Sequence, residues 1–169
     1  MKKSVATIDQ FVEWVEDVGD FFTTKDVYEA PWFRGHGSQH YVLTPSLYRT
    51  EAGRARLSDD LLRSEFMRKA LPMVAERAPR DDWEWYFLMQ HYRAPTRLLD
   101  WTDSALVALY FALTSYSPSA GANIHPVVWA LNPWALNRFQ DEDDGTPLGP
   151  EWPLMKSYLP PAFEGKRLP

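Results

Sequence analysis

Residues 90–113 read QHYRAPTRLLDWTDSALVALYFAL, and this stretch decides how the chain folds and where its chemistry can lie. Its first half is rich in polar and charged side chains, whereas residues 105–113 carry no charged side chain. Burying a charged group costs free energy unless the group is paired or hydrogen-bonded. The polar half must therefore face a cleft or hold the fold together, and we expect any functional chemistry in residues 90–102.

The same stretch predicts three elements of secondary structure. A helix begins at Asp81 or Asp82 and ends near Tyr92, where Arg93-Ala94-Pro95 breaks it. Residues 96–101 alternate enough to predict a strand, which would place Arg97 and Asp100 on opposite faces. Residues 104–115 predict a helix, capped by Asp103 or Thr102. It is apolar nearly all round, as is typical of a buried helix.

The chain before this stretch predicts two helices and a strand. Thr7 and Gln10 fit a capping box for an amphipathic helix over 8–18, with Gly19 as its C-cap. Residues 31–35, PWFRG, predict a short strand, followed by a loop over 36–50 with one extended piece at YVL. Ser58 caps a helix over 59–77, in which Pro72 predicts a kink or a break.

After the central stretch, residues 126–131 predict a core strand, and Pro133 opens a short helix to about Phe139. An acidic turn follows at 141–145, and the proline-rich tail from Leu148 predicts little regular structure. The expected class is α+β, with helices packed on a small mixed or antiparallel sheet. A length of 169 residues suits one compact domain, with the helix over 8–18 as an N-terminal extension.

Composition narrows the classes of function. The chain has no cysteine, which excludes disulfide scaffolds, thiolate zinc sites and cysteine nucleophiles. A net charge of −5 argues against bulk duplex DNA as a partner. The N-terminus lacks the apolar region of a signal peptide, and no stretch approaches 18 apolar residues. We expect a soluble, cytoplasmic protein that does not enter a membrane.

Two groups of polar residues are candidates for a site. An arginine at the end of a strand, Arg34, can present a fixed fork of donors to a phosphate or carboxylate. Gly35 beside it lets a ligand approach the backbone, and His36 follows. The second group lies in the central stretch and comprises Gln90, His91, Tyr92, Thr96, Arg97, Asp100, Trp101 and Thr102. Purely structural roles stay open: Asp100 as a cap, Arg97 as a buried clamp and His91 as a core histidine.

Several familiar sites are absent from the sequence. His36 and His40 are four apart, but the intervening Gly37 and Ser38 argue against a helix, so no metal is expected. No glycine-rich phosphate loop of either standard type occurs, and no G-x-S-x-G elbow of a hydrolase is found.

Three segments resemble the FRG domain family of bacteria and phages: FRG at 33–35, TPSLYR at 44–49, and QHYRAPTRLLDWTDSALVALYFAL at 90–113. The likeness runs from about Pro31 to Trp129. The layout also looks like a distant version of the ADP-ribosyltransferase plan, in a split form. By that analogy Arg34 matches the strand that holds NAD, and Thr96–Thr102 leads into the small-residue helix. The last strand of the plan, with its catalytic Glu or Gln, is missing from this chain, so the C-terminal part looks incomplete.

The resemblance implies a nucleotide site with NAD as a substrate, in a defence, toxin or phage–host conflict role. Arg34 and Arg97 would neutralise a diphosphate, Tyr92 or Trp101 would stack on a ring, and His91 or Asp100 would polarise a ribose hydroxyl. The catalytic candidates are then His91, Asp100 and Arg97. The ligand-binding candidates are Arg34, Gly35, His36, Gln90, Tyr92, Thr96, Trp101 and Thr102.

Two other functions compete with this one. A non-catalytic interaction or regulatory module would use the eight tryptophans for an aromatic interface with a protein target. In that case the polar groups of residues 90–102 would be packed away and paired, instead of lining a pocket. A nucleic-acid-processing enzyme would need clustered carboxylates such as Asp100 and Asp103, together with a basic track.

Overall fold

The computed structural model describes residues 2–23, 28–49, 58–74, 77–117, 123–141 and 145–159. The chain forms two compact units, the first made of Met1–Val42 and Asp100–Pro147, the second of Leu43–Leu99 and Leu148–Pro169. Five α-helices and a two-stranded antiparallel sheet are found among the described residues. This confirms the expected α+β class.

Helix α1 of the first unit spans Ile8–Phe22, four residues longer than predicted. Thr7 caps it as expected, its hydroxyl accepting a hydrogen bond from the Gln10 N–H at 3.3 Å. The predicted end at Gly19 is wrong. Thr23 caps the helix instead, because its N–H and its hydroxyl both donate to the Gly19 carbonyl, at 3.0 and 2.9 Å. The inner face of α1 buries Phe11, Trp14 and Val18.

The sheet of the first unit pairs β1 (Trp32–His36) with β2 (Val127–Leu131). Both strands lie within one residue of their predicted bounds. Trp32 is opposite Leu131 and His36 is opposite Val127. On the other side of β1, Phe33 exchanges two backbone hydrogen bonds with Thr102, of 2.7 and 2.9 Å, in an isolated bridge.

Helix α4 (Ala105–Thr114) lies directly against β1. Its N-cap is Ser104, in place of the predicted Asp103 or Thr102, and the Thr102 hydroxyl accepts from the Ser104 N–H at 3.1 Å. A Cβ atom at Gly35 would lie 1.8 Å from the Ala108 carbonyl oxygen. The absence of a side chain at Gly35 therefore allows the backbones of strand and helix to touch.

Helix α5 (Pro133–Asp141) is joined to the segment before β1 by a buried carboxylate. The Arg138 guanidinium donates to both oxygens of Glu29, at 2.6 and 3.0 Å, and the Asn132 amide donates to one of them at 2.6 Å. These donors, Arg138 first, lower the pKa of Glu29 below its usual value.

The second unit contains α2 (Asp59–Val74) and α3 (Asp82–His91). Ser58 and Asp81 cap them as predicted, with hydrogen bonds of 3.3 and 2.8 Å to helix N–H groups. Pro72 lies inside α2, and the predicted helical residues 75 and 76 lie outside the described residues. The apolar core of this unit is built from Trp83, Tyr86, Met89 and Leu159, with Leu62, Phe66, Ala94, Leu98 and Met155 packed around them.

Three further predictions for irregular regions need correction or lie outside the described residues. The extended piece expected at YVL is wrong, and the first regular structure after it is a 3-10 turn at Ser46–Tyr48. A second 3-10 helix, Pro153–Tyr158, occurs in the tail, where little regular structure was expected. The acidic residues 142–144 and the tail from residue 160 lie outside the described residues.

Candidate functional site

Arg34 lies on β1, half-buried, and its guanidinium is held from two sides. Its Nε donates to His36 Nε2 at 3.0 Å, and its Nη1 donates to the Asp100 carbonyl oxygen. Because His36 Nε2 accepts a hydrogen bond from a cation, the proton of the neutral ring must lie on Nδ1. The first unit therefore brings together three predicted site residues, Arg34, His36 and Asp100.

The predicted roles of the neighbouring residues change once the packing is known. The space that a side chain at Gly35 would fill is taken by the backbone of α4, at Ala108 and Ala112. The backbone of α4 therefore lies against this glycine, where a ligand was expected. Thr102 pairs with β1 through its backbone, and Trp101 beside it is half-buried.

Thr96 is fully buried in the second unit and joins two distant segments of its chain. Its hydroxyl donates to the Gln90 side-chain oxygen, and its N–H donates to the Ser46 hydroxyl at 3.1 Å. Its carbonyl accepts from the Leu47 N–H at 3.1 Å. The segments TPSLYR and QHYRAPT are thus bonded to each other, and Ser46 is a structural partner of Thr96 that sequence reasoning missed.

Arg97 is held by two residues that sequence reasoning also missed. Its Nε forms an ion pair with Asp59, at the start of α2, and its N–H donates to the Tyr86 hydroxyl at 2.7 Å. Burial raises the pKa of that tyrosine to about 12. The predicted strand over Thr96–Trp101 is wrong, because the backbone N–H groups of Thr96 and Arg97 are bonded to side chains instead of a neighbouring strand.

The C-terminus of α3 exposes His91, Tyr92 and Arg93 in succession. The Ala94 N–H donates to the Met89 carbonyl at 2.9 Å, and Arg93 has a φ of 60°. This is a Schellman motif with arginine at the position where glycine is preferred. The Tyr92 ring lies 5.2 Å from the His91 ring and is exposed.

His91 also lies at the edge of a surface depression of about 390 Å³ in the second unit. Arg77 and Glu84 bring charge to its rim, and Phe87 gives it an apolar wall. Among the described residues, Val74, Pro79 and Leu88 also line the depression. None of the other predicted site residues lines this depression, which combines an apolar surface with groups of both charges.

Helix α4 has two apolar faces of different kinds, so the prediction that it is buried on all sides is wrong. Ala108 and Ala112 are buried, with Ala105 and Leu109 packed beside them against the core. At about 100° per residue, the large side chains lie on the opposite face. Leu106, Tyr110 and Leu113 are 59%, 62% and 55% exposed. We call this face the α4 surface; it consists of Leu106, Val107, Tyr110, Phe111 and Leu113.

The part of the chain that the structure describes contains neither a metal-binding cluster nor a membrane-spanning helix. No three His, Asp or Glu side chains there lie close enough to hold a metal ion. Among the same residues, no helix has the length and hydropathy needed to cross a membrane.

Comparison with models of known protein families gives a match. The model of the FRG domain family matches residues 29–120, which is more than half of the chain and includes the three segments FRG, TPSLYR and QHYRAPTRLLDWTDSALVALYFAL. Comparison with curated proteins and with solved structures gives no match.

Proposed function

The chain belongs to the FRG domain family, and from this premise we propose that it is a non-catalytic module that binds another polypeptide through the α4 surface. The observation that carries the proposal is the exposure of five large apolar side chains on one face of one helix. The largest contiguous apolar patch on a soluble protein is often an interaction site. Tyrosine and phenylalanine, at 110 and 111, are favoured at the centres of such interfaces.

The polar residues of the central stretch support the same proposal. Thr96 is buried and bonded on all of its polar atoms, and Arg97 is bonded to Asp59 and Tyr86. Gln90 completes the bond to Thr96. Thr96, Gln90 and Arg97 therefore hold the second unit together, as expected if these polar residues have structural roles.

A photocrosslinking experiment tests the interaction. A photoreactive phenylalanine analogue is placed at Tyr110, in the α4 surface, and separately at Phe21, which is 65% exposed on α1. In cells that make the protein, we expect crosslinks from position 110 to a polypeptide that mass spectrometry identifies and that binds the purified chain. Crosslinking from position 110 no stronger than from position 21 would overturn the proposal.

A nucleotide-type ligand, such as NAD as the substrate of an ADP-ribosyltransferase-related activity in a defence role, is a second candidate. The depression beside His91 supports it, because Arg77 can pair with a phosphate and Phe87 offers a ring for stacking. Calorimetry with NAD and with ADP-ribose tests it, using Arg77→Gln as the variant. The absence of heat at millimolar ligand with the folded chain would exclude this function for residues 1–169.

The substitution Arg97→Ala tests whether this predicted site residue binds a ligand or supports the fold. If it clamps a ligand, Arg97→Ala loses binding while the free energy of unfolding stays close to that of the wild type. If it supports the fold, the variant removes the ion pair with Asp59, whose side chain is 11% exposed, and lowers the free energy of unfolding by about 1–3 kcal/mol. Denaturation by urea measures this change, and the ion pair between the Arg97 side chain and Asp59 favours the second result.

A further inference from the structure

Three side chains of the α4 surface are spaced like those that pack against a second helix. Leu106, Tyr110 and Leu113 follow one another at i, i+4 and i+7, which places them in a row along two turns of the helix. Rows of this kind pack against a second helix through knobs inserted into holes. Val107 and Phe111 lie beside the row and widen it on one side. The geometry therefore fits a helix as the covering element.

The distribution of charge favours a partner whose surface in contact with α4 is also uncharged. The chain carries a net charge of −5, so two copies repel each other over most orientations. From Ala105 to Thr114, however, α4 has no charged side chain. A second α4 can approach this face without bringing like charges together, and it leaves no charged group buried without a partner.

The size of the surface is sufficient for a reversible dimer. Each of the five side chains exposes on the order of 100 Å², or roughly 500 Å² for the surface as a whole. Two such surfaces in contact would bury at most about 1,000 Å², which is close to the lower limit for a specific interface. An interface of this size fits weak association, measurable at micromolar concentrations.

We propose that the polypeptide covering the α4 surface is a second copy of this chain, in an antiparallel, two-fold-symmetric helix pair. This inference rests on the proposed interaction function and names its partner. With the axis near Tyr110, Leu106 of one copy meets Leu113 of the other, and the two Tyr110 side chains lie next to each other. Such a pair is isologous, so one surface satisfies both copies and the assembly closes at two.

Sedimentation velocity over about 1–100 µM tests the dimer. We expect concentration-dependent dimerisation of the wild type. Tyr110→Glu should weaken it at least tenfold, because it places two carboxylates together at the axis. The matched control, Phe21→Glu, changes an equally exposed aromatic residue of α1 and should dimerise like the wild type. A monomeric wild type, or equal weakening by both variants, would overturn the inference.

A charge-reversal experiment distinguishes loss of the interface from loss of the fold. Tyr110→Glu and Tyr110→Lys should each be monomeric, whereas a mixture of the two should form a heterodimer through the new ion pair. Failure of the mixture to associate, with both variants folded by circular dichroism, would overturn the two-fold arrangement.

The two proposals fail separately. If the wild type is monomeric but position 110 crosslinks to a different, identified polypeptide, the self-association is refuted and the interaction function stands. If the wild type is monomeric and position 110 does not crosslink, both are refuted.

Discussion

The contact between β1 and α4 gives the sharpest test of how this fold is held together. A Cβ atom added at Gly35 would lie 1.8 Å from the Ala108 carbonyl oxygen and 2.6 Å from the Ala112 nitrogen. Both blocking atoms belong to backbone, which cannot rotate away as the end of a flexible side chain can. In Gly35→Ala, strand and helix must therefore separate by more than an ångström, in the middle of the core that contains Phe33 and Ala108.

Overpacking of a core costs about 1–3 kcal/mol and occasionally more. Because neither backbone can yield locally, we expect Gly35→Ala to lose about 3 kcal/mol, a large part of the 5–15 kcal/mol that stabilises a typical domain. Unfolding in urea, followed by tryptophan fluorescence, measures this loss as a shift of the midpoint at constant slope.

Gly19 provides a matched control for the same chemical change. It lies inside α1, and an added Cβ would meet only the Tyr28 ring, at 3.6 Å, an ordinary contact. Alanine is a better helix former than glycine, so Gly19→Ala should stabilise the protein by about 0.5–1 kcal/mol. The two substitutions should therefore act in opposite directions. If Gly35→Ala unfolds within about 0.5 kcal/mol of the wild type, the close contact with α4 does not explain the glycine.

Three further substitutions have definite expected outcomes. The pKa of Glu29 is lowered in the folded state, so its contribution to stability is present above about pH 4.5 and is lost as the pH falls through the lower, folded pKa. The stability of Glu29→Gln should therefore depend less steeply on pH in acid than that of the wild type. An unchanged profile would contradict the bond to Arg138. Tyr86→Phe should cost about 1–2 kcal/mol, because the Arg97 N–H loses its acceptor. The pKa of Tyr86 is raised to about 12, so its contribution is present below pH 10 and lost between pH 10 and 12; alkaline titration of stability should show this loss in the wild type and not in the variant. Arg93→Gly should raise the thermal midpoint and increase the free energy of unfolding by about 0.5–1 kcal/mol, because glycine adopts a φ of 60° without strain. A lower midpoint would mean that the arginine side chain itself stabilises the fold.

Local signals in the sequence predicted most of the elements. The caps Thr7, Ser58 and Asp81 mark helix starts because their side chains accept hydrogen bonds from the first turn, an interaction between near neighbours. Both strands of the sheet were located within one residue. The end of α1 was predicted wrongly at Gly19 because glycine at a helix end is a preference, and here Thr23 supplies the cap.

The errors arose where distant residues decide the structure. The strand predicted over 96–101 does not form, because Ser46 and Tyr86 bind backbone groups that a neighbouring strand would otherwise bind. The sequence pattern does not predict which face of α4 is buried, because both faces are apolar and hydrophobic periodicity is absent. The signal that distinguishes the faces is size: alanines at 105, 108 and 112 face β1, and larger side chains face solvent.

The candidate site was predicted in part. The grouping of Arg34 with His36 follows from their spacing on a strand, where residues two apart share a face. The contact of Arg34 with the Asp100 carbonyl depends on the turn that precedes Thr102, which the sequence does not specify. Asp59 is 38 residues from Arg97, so no local pattern relates the two.

The pairing of β1 with β2 has a consequence for synthesis on the ribosome. His36 pairs with Val127 and Trp32 with Leu131, so β1 emerges more than 90 residues before its partner. At about 5–20 residues per second, the first strand waits on the order of 10 s for the second. α4 is translated before β2, so Gly35 can contact Ala108 before the sheet exists. On the nascent chain, that helix can therefore cover the strand before the partner strand is made. The glycine that lets the two backbones touch thereby shortens the interval in which an exposed β1 could aggregate.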